Sequence, residues 1–370
     1  MSVDTSPHRF QYVDGLRGLA ALAVTLFHLF IGPLVRPLES WTPAVLSTVL
    51  WHGYLGVQIF FVLSGYVIAH SLRDTTIDLG SAARFALRRQ VRLDPPYWVV
   101  LALAVLDQGL PLLLHPERAA PMPSPGWIAA HLIYAQHFLG WEDIVTVFWT
   151  LCIEVQFYLL FIALLWLATR LARRSGPELI RSPVLGAVLA PLALGSLFFV
   201  ADAAAWKHLF LPHWYLFVLG CLTYWCDFRR WSGWALVGLS LAIAGCGAFT
   251  GELAPFAGLA TAGLLFASAR LPGLARLFSG RVLQYLGRTS YSLYLVHFTV
   301  GYRVLNAGQR LTGESRPAAL AWFALSLLLS LAASHLLHRW VELPSVALAQ
   351  RLKTRLLPRD KAVPLPGPAR

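Results

Sequence analysis

Long apolar runs, separated by short polar or charged stretches, recur along this chain from one end to the other. Ten of them read as membrane-crossing helices: residues 15–33, 53–72, 95–114, 144–168, 184–201, 211–227, 232–250, 252–270, 289–308 and 317–340. A helix rising about 1.5 Å per residue needs roughly 20 residues to cross a hydrocarbon layer about 30 Å thick. The expected fold class is therefore all-α: a polytopic membrane helix bundle of about ten transmembrane helices. The short linkers at 228–231 and 250–252 leave the boundaries around the seventh and eighth runs least sharply marked. Composition agrees, with 57% hydrophobic and only 13% charged residues and a mean hydropathy of +0.60. So little charge would not cover the surface of a water-soluble protein of this size.

Charge adds an orientation. The net charge of +12 invites a nucleic-acid reading, but most of the 30 Lys and Arg fall on one side of a ten-span arrangement. The positive-inside rule then places both termini in the cytoplasm, and no nucleic acid is needed as a partner. Anionic lipid or a phosphorylated ligand is the natural counter-charge. The first run has no small-residue cleavage site after it and is expected to be retained rather than removed as a signal peptide. Cys152, Cys221, Cys226 and Cys246 lie in or at the ends of runs, so neither a disulfide scaffold nor a zinc site is expected.

The expected organisation is a short cytoplasmic segment over 1–14, a transmembrane domain over 15–345, and a basic, Pro-rich, mobile tail over 346–370. No inverted internal repeat of the transporter kind is visible. Residues 115–143, rich in Pro and aromatics, form the longest external segment, either a re-entrant or lid-like element or an interfacial aromatic belt.

Polar residues inside apolar runs are costly to bury and are candidates for function. Arg17 and His28 are eleven residues apart on the first run; at 100° per residue they share a face, about 16 Å apart along the axis. A neutral imidazole in mid-span can accept a proton from a hydroxyl, although an interhelical hydrogen bond is the plainer role. Arg84, Arg88 and Arg92 recur every four residues with Arg89 beside them, before Asp94-Pro95-Pro96 opens the next run. Guanidinium forks suit phosphate, and a positive-inside loop would look the same. Thr150, Glu154 and Tyr158 form a stripe on the fourth run, where the carboxylate must be paired, for instance with His28 or an arginine, protonated, or open to a cavity, and a structural hydrogen bond is the plainer role. Ser290, Tyr294 and His297 share another face, and Ser64-Gly65 permits close helix approach. His335, His338 and Glu342 have metal-like spacing but sit at a helix end beside Pro344, and no metal is expected there.

Taken in order, several blocks resemble one family. These are Asp14-Gly-Leu-Arg17 with His28; Phe60-Phe61-Val-Leu-Ser64-Gly65; Arg89-x-x-Arg92 leading to Pro96-Tyr97; and Trp149-Thr-Leu-x-x-Glu154-x-x-Phe-Tyr158. Ser290-Tyr291-x-Leu-Tyr294-Leu-x-His297 and Glu342-x-Pro344 complete the set. Over about residues 9–345 the chain is similar to the integral-membrane acyltransferase family 3. The resemblance implies ten transmembrane helices and acyl transfer, usually of acetyl, from cytoplasmic acyl-coenzyme A to hydroxyls of carbohydrates or other acceptors. It implies His28 as the essential histidine and Arg17, Arg89 and Arg92 as functional arginines. Some members carry a C-terminal extracytoplasmic esterase-like domain. This chain is too short for one, so the membrane domain or a separate protein is expected to complete the transfer.

From these residues the expected mechanism has the phosphates of acyl-coenzyme A (acetyl-CoA) held by Arg88, Arg89 and Arg92 with Arg17 nearby. His28 acts as general base on the acceptor hydroxyl, and Glu154 and Tyr294 position the base or the oxyanion. Direct transfer is preferred to an acyl-His28 intermediate. The expected setting is the bacterial cytoplasmic membrane, with a cell-surface glycan or polysaccharide precursor as acceptor. The alternatives are acylation of a small molecule such as a macrolide, and a transporter or flippase for lipid-linked sugars.

Overall fold

The computed structural model describes residues 7–73, 75, 77–114, 122–206, 208–228, 233–313 and 315–356. Among them every regular element is helical, and each of the ten apolar runs falls on a helix. In chain order these are α1 (Pro7–Phe30), α2 (Gly56–Ser71), α3 (Leu79–Leu114), α4 (Trp149–Ala172), α5 (Pro183–Ser196) and α6 (Trp214–Asp227). They continue with α7 (Gly233–Thr250), α8 (Ala254–Ser268), α9 (Arg281–Thr312), α10 (Arg316–Leu337) and a last helix, α11 (Leu343–Leu356).

Five segments are long and apolar enough to cross a membrane by themselves: Gln11–Phe30, Ala44–Ser71, Thr146–Ala172, Gly233–Thr250 and Arg316–Leu352. The expectation of ten is not met on length and composition, for identifiable reasons. Pro183–Phe199 and Ala254–Ser268 are apolar but shorter. Helix α6 has only 14 residues, about 21 Å of rise, yet Trp214 to Cys226 are all buried, so it is a core helix of the bundle. Helices α3 and α9 are long but carry polar stripes.

Two boundaries differ from the sequence reading. The arginine stretch and the third run form one helix of 36 residues, continuous through Pro95 and Pro96, rather than a loop followed by a span. Its start is capped by Asp78. The Ser81 N–H donates to Asp78 Oδ1 at 2.6 Å, and the Asp78 N–H donates to Ser81 Oγ at 2.8 Å. That Ser81 N–H is the main reason the Asp78 carboxyl is held below its ordinary range. The second difference is the tail, which is helical through Leu356 and packs along α3; the tail prolines begin only at Pro358, and 357–370 lie outside the described residues. A π-helical turn over His338–Glu342 joins α10 to α11.

Residues 115–121 of the external segment also lie outside the described residues. The remainder forms a short helix, Pro125–Leu132, capped by Ser124. It is fastened to α3 where Tyr134 donates to Asp94 Oδ1 at 2.9 Å, and closed on itself where Trp127 Nε1 donates to the Glu142 carbonyl at 2.8 Å.

Helices in lipid gain little from burying one apolar surface on another, so close backbone approach and buried polar groups hold them together. Helix α1 packs most extensively on α9. A Cβ on Gly18 would stand 2.6 Å from the Gly287 nitrogen, and one on Gly287 would land on the Asp14 carbonyl. Helices α2 and α6 meet the same way, Gly65 against the Phe217 carbonyl and Gly220 against that of Val62. On α10, Ser326, Ser330 and Ser334 are all buried at four-residue spacing, and Ser330 Oγ stands 3.3 Å from where a Cβ on Gly301 of α9 would lie.

Gly65→Ala should force α2 and α6 apart. A loss of about 1–3 kcal/mol or more is expected, read as a lower melting temperature in detergent. Gly238→Ala, where nothing lies within 4 Å of the new methyl, should be neutral or mildly stabilising. Equal behaviour of the two variants would contradict the packing described.

Candidate active site

The α1–α9 contact brings together residues from opposite ends of the chain. His28 of α1 and His297 of α9 meet with 3.1 Å between His28 Nδ1 and His297 Nε2. Each is also tied to its own helix: His28 Nδ1 lies 3.0 Å from the Val24 carbonyl, and His297 Nδ1 lies 3.0 Å from that of Leu293. Phe27 and Phe298 pack edge-on against the His28 ring at 5.1 and 5.6 Å. His297 is fully buried, with Tyr294 at 5.8 Å between ring centres.

About three helical turns along α1 from His28, Arg17 lines two adjoining cavities. The first is lined by Arg17, Arg89, Arg92, Ser64, Glu154, Tyr158 and Tyr291, among others. The second shares Arg17, Ser64, Glu154 and Tyr291 with it and runs on to Thr150, Ser290 and Tyr294. Together they make a path from an arginine cluster to Tyr294, beyond which stand His297 and then His28.

The arginine end is electropositive. Arg92 is half-buried among like charges, since Arg17 and Arg89 repel it and Glu342 offsets them in part. Asp14 faces Arg17, Arg92 and Arg288. The Arg89 guanidinium stacks over the Tyr158 ring at 4.8 Å. Several guanidiniums around one cavity, with few acids to balance them, attract an anion by their summed field.

Glu154 accepts from Ser64 Oγ at 3.0 Å and from the Tyr158 hydroxyl. Its hydrogen bonds are thus made at the arginine end, while His28 pairs with His297. Tyr294 takes a hydrogen bond from Thr150 Oγ1 at 2.7 Å. Ser290 donates to the Gly287 carbonyl at 2.8 Å. Arg88 is not among the cavity-lining residues; its nearest charges are Arg84 and Arg89. Tyr97 is buried and stacked on Tyr134 at 4.8 Å, away from the cavities, and Trp149 packs on Phe61 and His213. The spacing of His335, His338 and Glu342 does not gather them, because His335 pairs with Tyr285 while His338 bonds Glu342 at 2.9 Å.

Phe60 and Tyr291, which stand in the sequence blocks without an assigned role, line both cavities. Tyr291 is one position off the Ser290–Tyr294 face, and its hydroxyl reaches across to the Leu93 carbonyl at 2.8 Å. The buried Glu342 also accepts from Ser292 Oγ at 2.7 Å. Nothing in the local pattern at 292 pointed to residue 342.

The family model for the acyltransferase domain matches residues 10–339, nearly the whole chain. The chain belongs to the integral-membrane acyltransferase family 3. It is similar to the peptidoglycan O-acetyltransferase OatA of Listeria monocytogenes, 29% identical over 189 residues, which is 47% of this chain and 26% of that protein. It is similar also to the O-acetyltransferase OatA of Staphylococcus aureus, 33% identical over 172 residues, 42% of this chain and 24% of that one. A putative O-acetyltransferase of S. aureus is 31% identical over 159 residues, 40% of this chain and 23% of that one. The matched region thus covers about a quarter of the length of each relative. No solved structure matches the chain.

Among the site's buried groups, Glu342 gives a clean stability test. Glu342→Leu leaves Ser292 and His338 without their shared acceptor, which should cost about 1–3 kcal/mol per stranded donor. Glu342→Gln keeps an acceptor and should recover most of the loss. An unchanged melting temperature in Glu342→Leu would contradict the role assigned to this carboxylate.

Proposed function

We propose that this membrane acyltransferase moves an acetyl group from cytoplasmic acetyl-coenzyme A to a hydroxyl of a carbohydrate, such as a cell-surface glycan or its precursor. The observation that carries this reading is the pair of adjoining cavities that runs from Arg17, Arg89 and Arg92 to Tyr294, whose ring centre lies 5.8 Å from that of His297, the partner of His28. Arginine forks match the phosphates of coenzyme A, and the more apolar continuation past Phe60 and Phe61 suits an extended pantetheine arm. The O-acetyltransferase names of the relatives support an acetyl donor and a sugar hydroxyl. The clustering of Lys and Arg supports ten crossings of a bacterial cytoplasmic membrane, with both termini and the arginine end on the cytoplasmic side.

The hydrogen bonds favour one arrangement of protons. A carbonyl only accepts, so His297 Nδ1 carries a proton toward Leu293 and His297 Nε2 is left with its lone pair. His28 Nδ1, between the Val24 carbonyl and that lone pair, must then be protonated as well. His28 Nε2 is the remaining base. It takes the acceptor's proton as the hydroxyl oxygen attacks the thioester carbonyl. The C–O bond forms, the C–S bond breaks, and the proton passes from His28 Nε2 to the departing thiolate. While His28 is charged, its Nδ1–H bond to His297 is charge-assisted, so His297 acts as a positioning residue. Arg17, Arg89 and Arg92 bind the donor, and Glu154 holds Ser64 and Tyr158 in the wall beside them.

Purified protein in detergent should release coenzyme A from labelled acetyl-coenzyme A, slowly without acceptor and faster with a suitable saccharide. Arg89→Ala and Arg92→Ala should each weaken donor binding about ten- to a hundredfold, matching the roughly 1.5–3 kcal/mol of a charge-assisted hydrogen bond. Lysine replacements should restore only part, because a point charge does not reproduce the fork. Unchanged donor affinity in both alanine variants would overturn the assignment of the arginine end. His297→Ala should lower kcat with little change in the KM for donor and shift the pH profile of kcat, while His297→Asn, which can still accept from His28, should recover part of the loss. A change confined to protein yield would mark His297 as merely structural.

A further inference from the structure

We propose that His137, Asp143 and Cys152 form a binding site for a borderline-soft divalent cation, with zinc the best fit. The residues come from three places: the 3₁₀ turn His137–Leu139, the loop that follows the left-handed Gly140, and the first turn of α4. Their ligand atoms all lie within 4.8 Å of one another.

The way His137 meets Asp143 points to an ion. Its side chain is 3% exposed and that of Asp143 10%, with Nε2 and Oδ2 3.1 Å apart. Yet neither ring nitrogen of His137 makes a hydrogen bond. The carboxylate oxygen stands close to the nitrogen but off its bonding axis. Two ligands of one tetrahedral ion, each about 2.0–2.1 Å from it, stand about 3.3 Å apart in just that relation. Without an ion, the buried imidazole has only this misaligned carboxylate at Nε2 and no hydrogen bond at Nδ1.

Gln136 completes the pattern. Fully buried, it donates through Nε2 to Cys152 Sγ at 2.9 Å and to Asp143 Oδ1 at 3.1 Å. These are the sulfur and the oxygen left over if Oδ2 binds the ion, the outer-shell support that orients ligands at metal sites. Its Oε1 makes no hydrogen bond. The His208 ring stacks on His137 at 3.8 Å and closes one side. Sulfur with imidazole and a single carboxylate favours zinc over calcium or magnesium, and three protein ligands leave a fourth position for water or another donor.

An ion here would fasten the external segment to the first turn of α4, whose Thr150 and Glu154 line the cavities. Four scattered cysteines did not resemble a zinc framework because this ligand set uses only one of them, with a histidine and an aspartate from a separate turn. The proposal stands independently of the acyl-transfer reading.

The test uses the full chain in detergent, stripped by chelator and titrated with cobalt(II) as probe. The expected result is about one cobalt per chain with a thiolate-to-cobalt charge-transfer band in the near ultraviolet. Cys152→Ser should abolish that band, and Gln136→Ala should weaken binding about 10- to 100-fold. Zinc added to the stripped wild-type protein should raise its melting temperature, a readout that does not depend on any variant folding. Absence of the thiolate band in stripped, still helical wild-type protein would overturn the proposal. So would a band that persists in Cys152→Ser, or a melting temperature unmoved by zinc.

Discussion

The whole site hangs on the close contact of α1 with α9. Two backbones approach this closely only where neither carries a side chain, and Gly18 and Gly287 supply that. The contact fixes two relations at once. At one level it sets His28 beside His297, and lower down it sets Arg17 beside Ser290 and Tyr291 on the wall of one cavity. The second glycine contact, Gly65 and Gly220 between α2 and α6, holds Ser64 where it meets Glu154 of α4. Small residues thus set the positions of the polar residues that line the site.

The electrostatic arrangement follows from that packing. Arg17, Arg89 and Arg92 converge from α1 and α3, and their mutual repulsion is only partly offset by Asp14 and by Glu342, on the π-helical turn. Such a cluster is most stable when an anion joins it. The histidine pair lies at the other end, where the two rings meet each other and the carbonyls of their own helices rather than a charged group. On the proposed reading, a charged end for a polyanionic donor is thereby kept apart from an uncharged end for the base.

Much of this was legible in the chain. Eleven residues put Arg17 and His28 on one face, and four-residue spacing put Tyr158 beside Glu154, because both relations are local to one helix. Pairings across helices were not legible. Nothing in one sequence says that His28 meets His297, 269 positions away, or that Glu154 bonds Ser64, 90 positions away. Arg88 shows the limit of the local rule, since its place on the Arg84–Arg92 face did not carry it to the cavity wall. Hydropathy placed each apolar run on a helix. It did not foresee that α6 is short because it is a core helix, or that α3 runs unbroken through Pro95 and Pro96. The buried cluster around Cys152 was unreadable for the same reason as the histidine pair: its members belong to separate turns.

The central claim is that the donor enters at the arginines and delivers its thioester toward the histidines. A structure of the protein with a non-hydrolysable acetyl-coenzyme A analogue tests it most directly. The account predicts phosphates among Arg17, Arg89 and Arg92, the pantetheine arm passing Ser64 and Tyr291, and the acetyl carbonyl beyond Thr150 near Tyr294 and His28. A donor bound elsewhere, or one whose acetyl group points away from the His28–His297 pair, would contradict it.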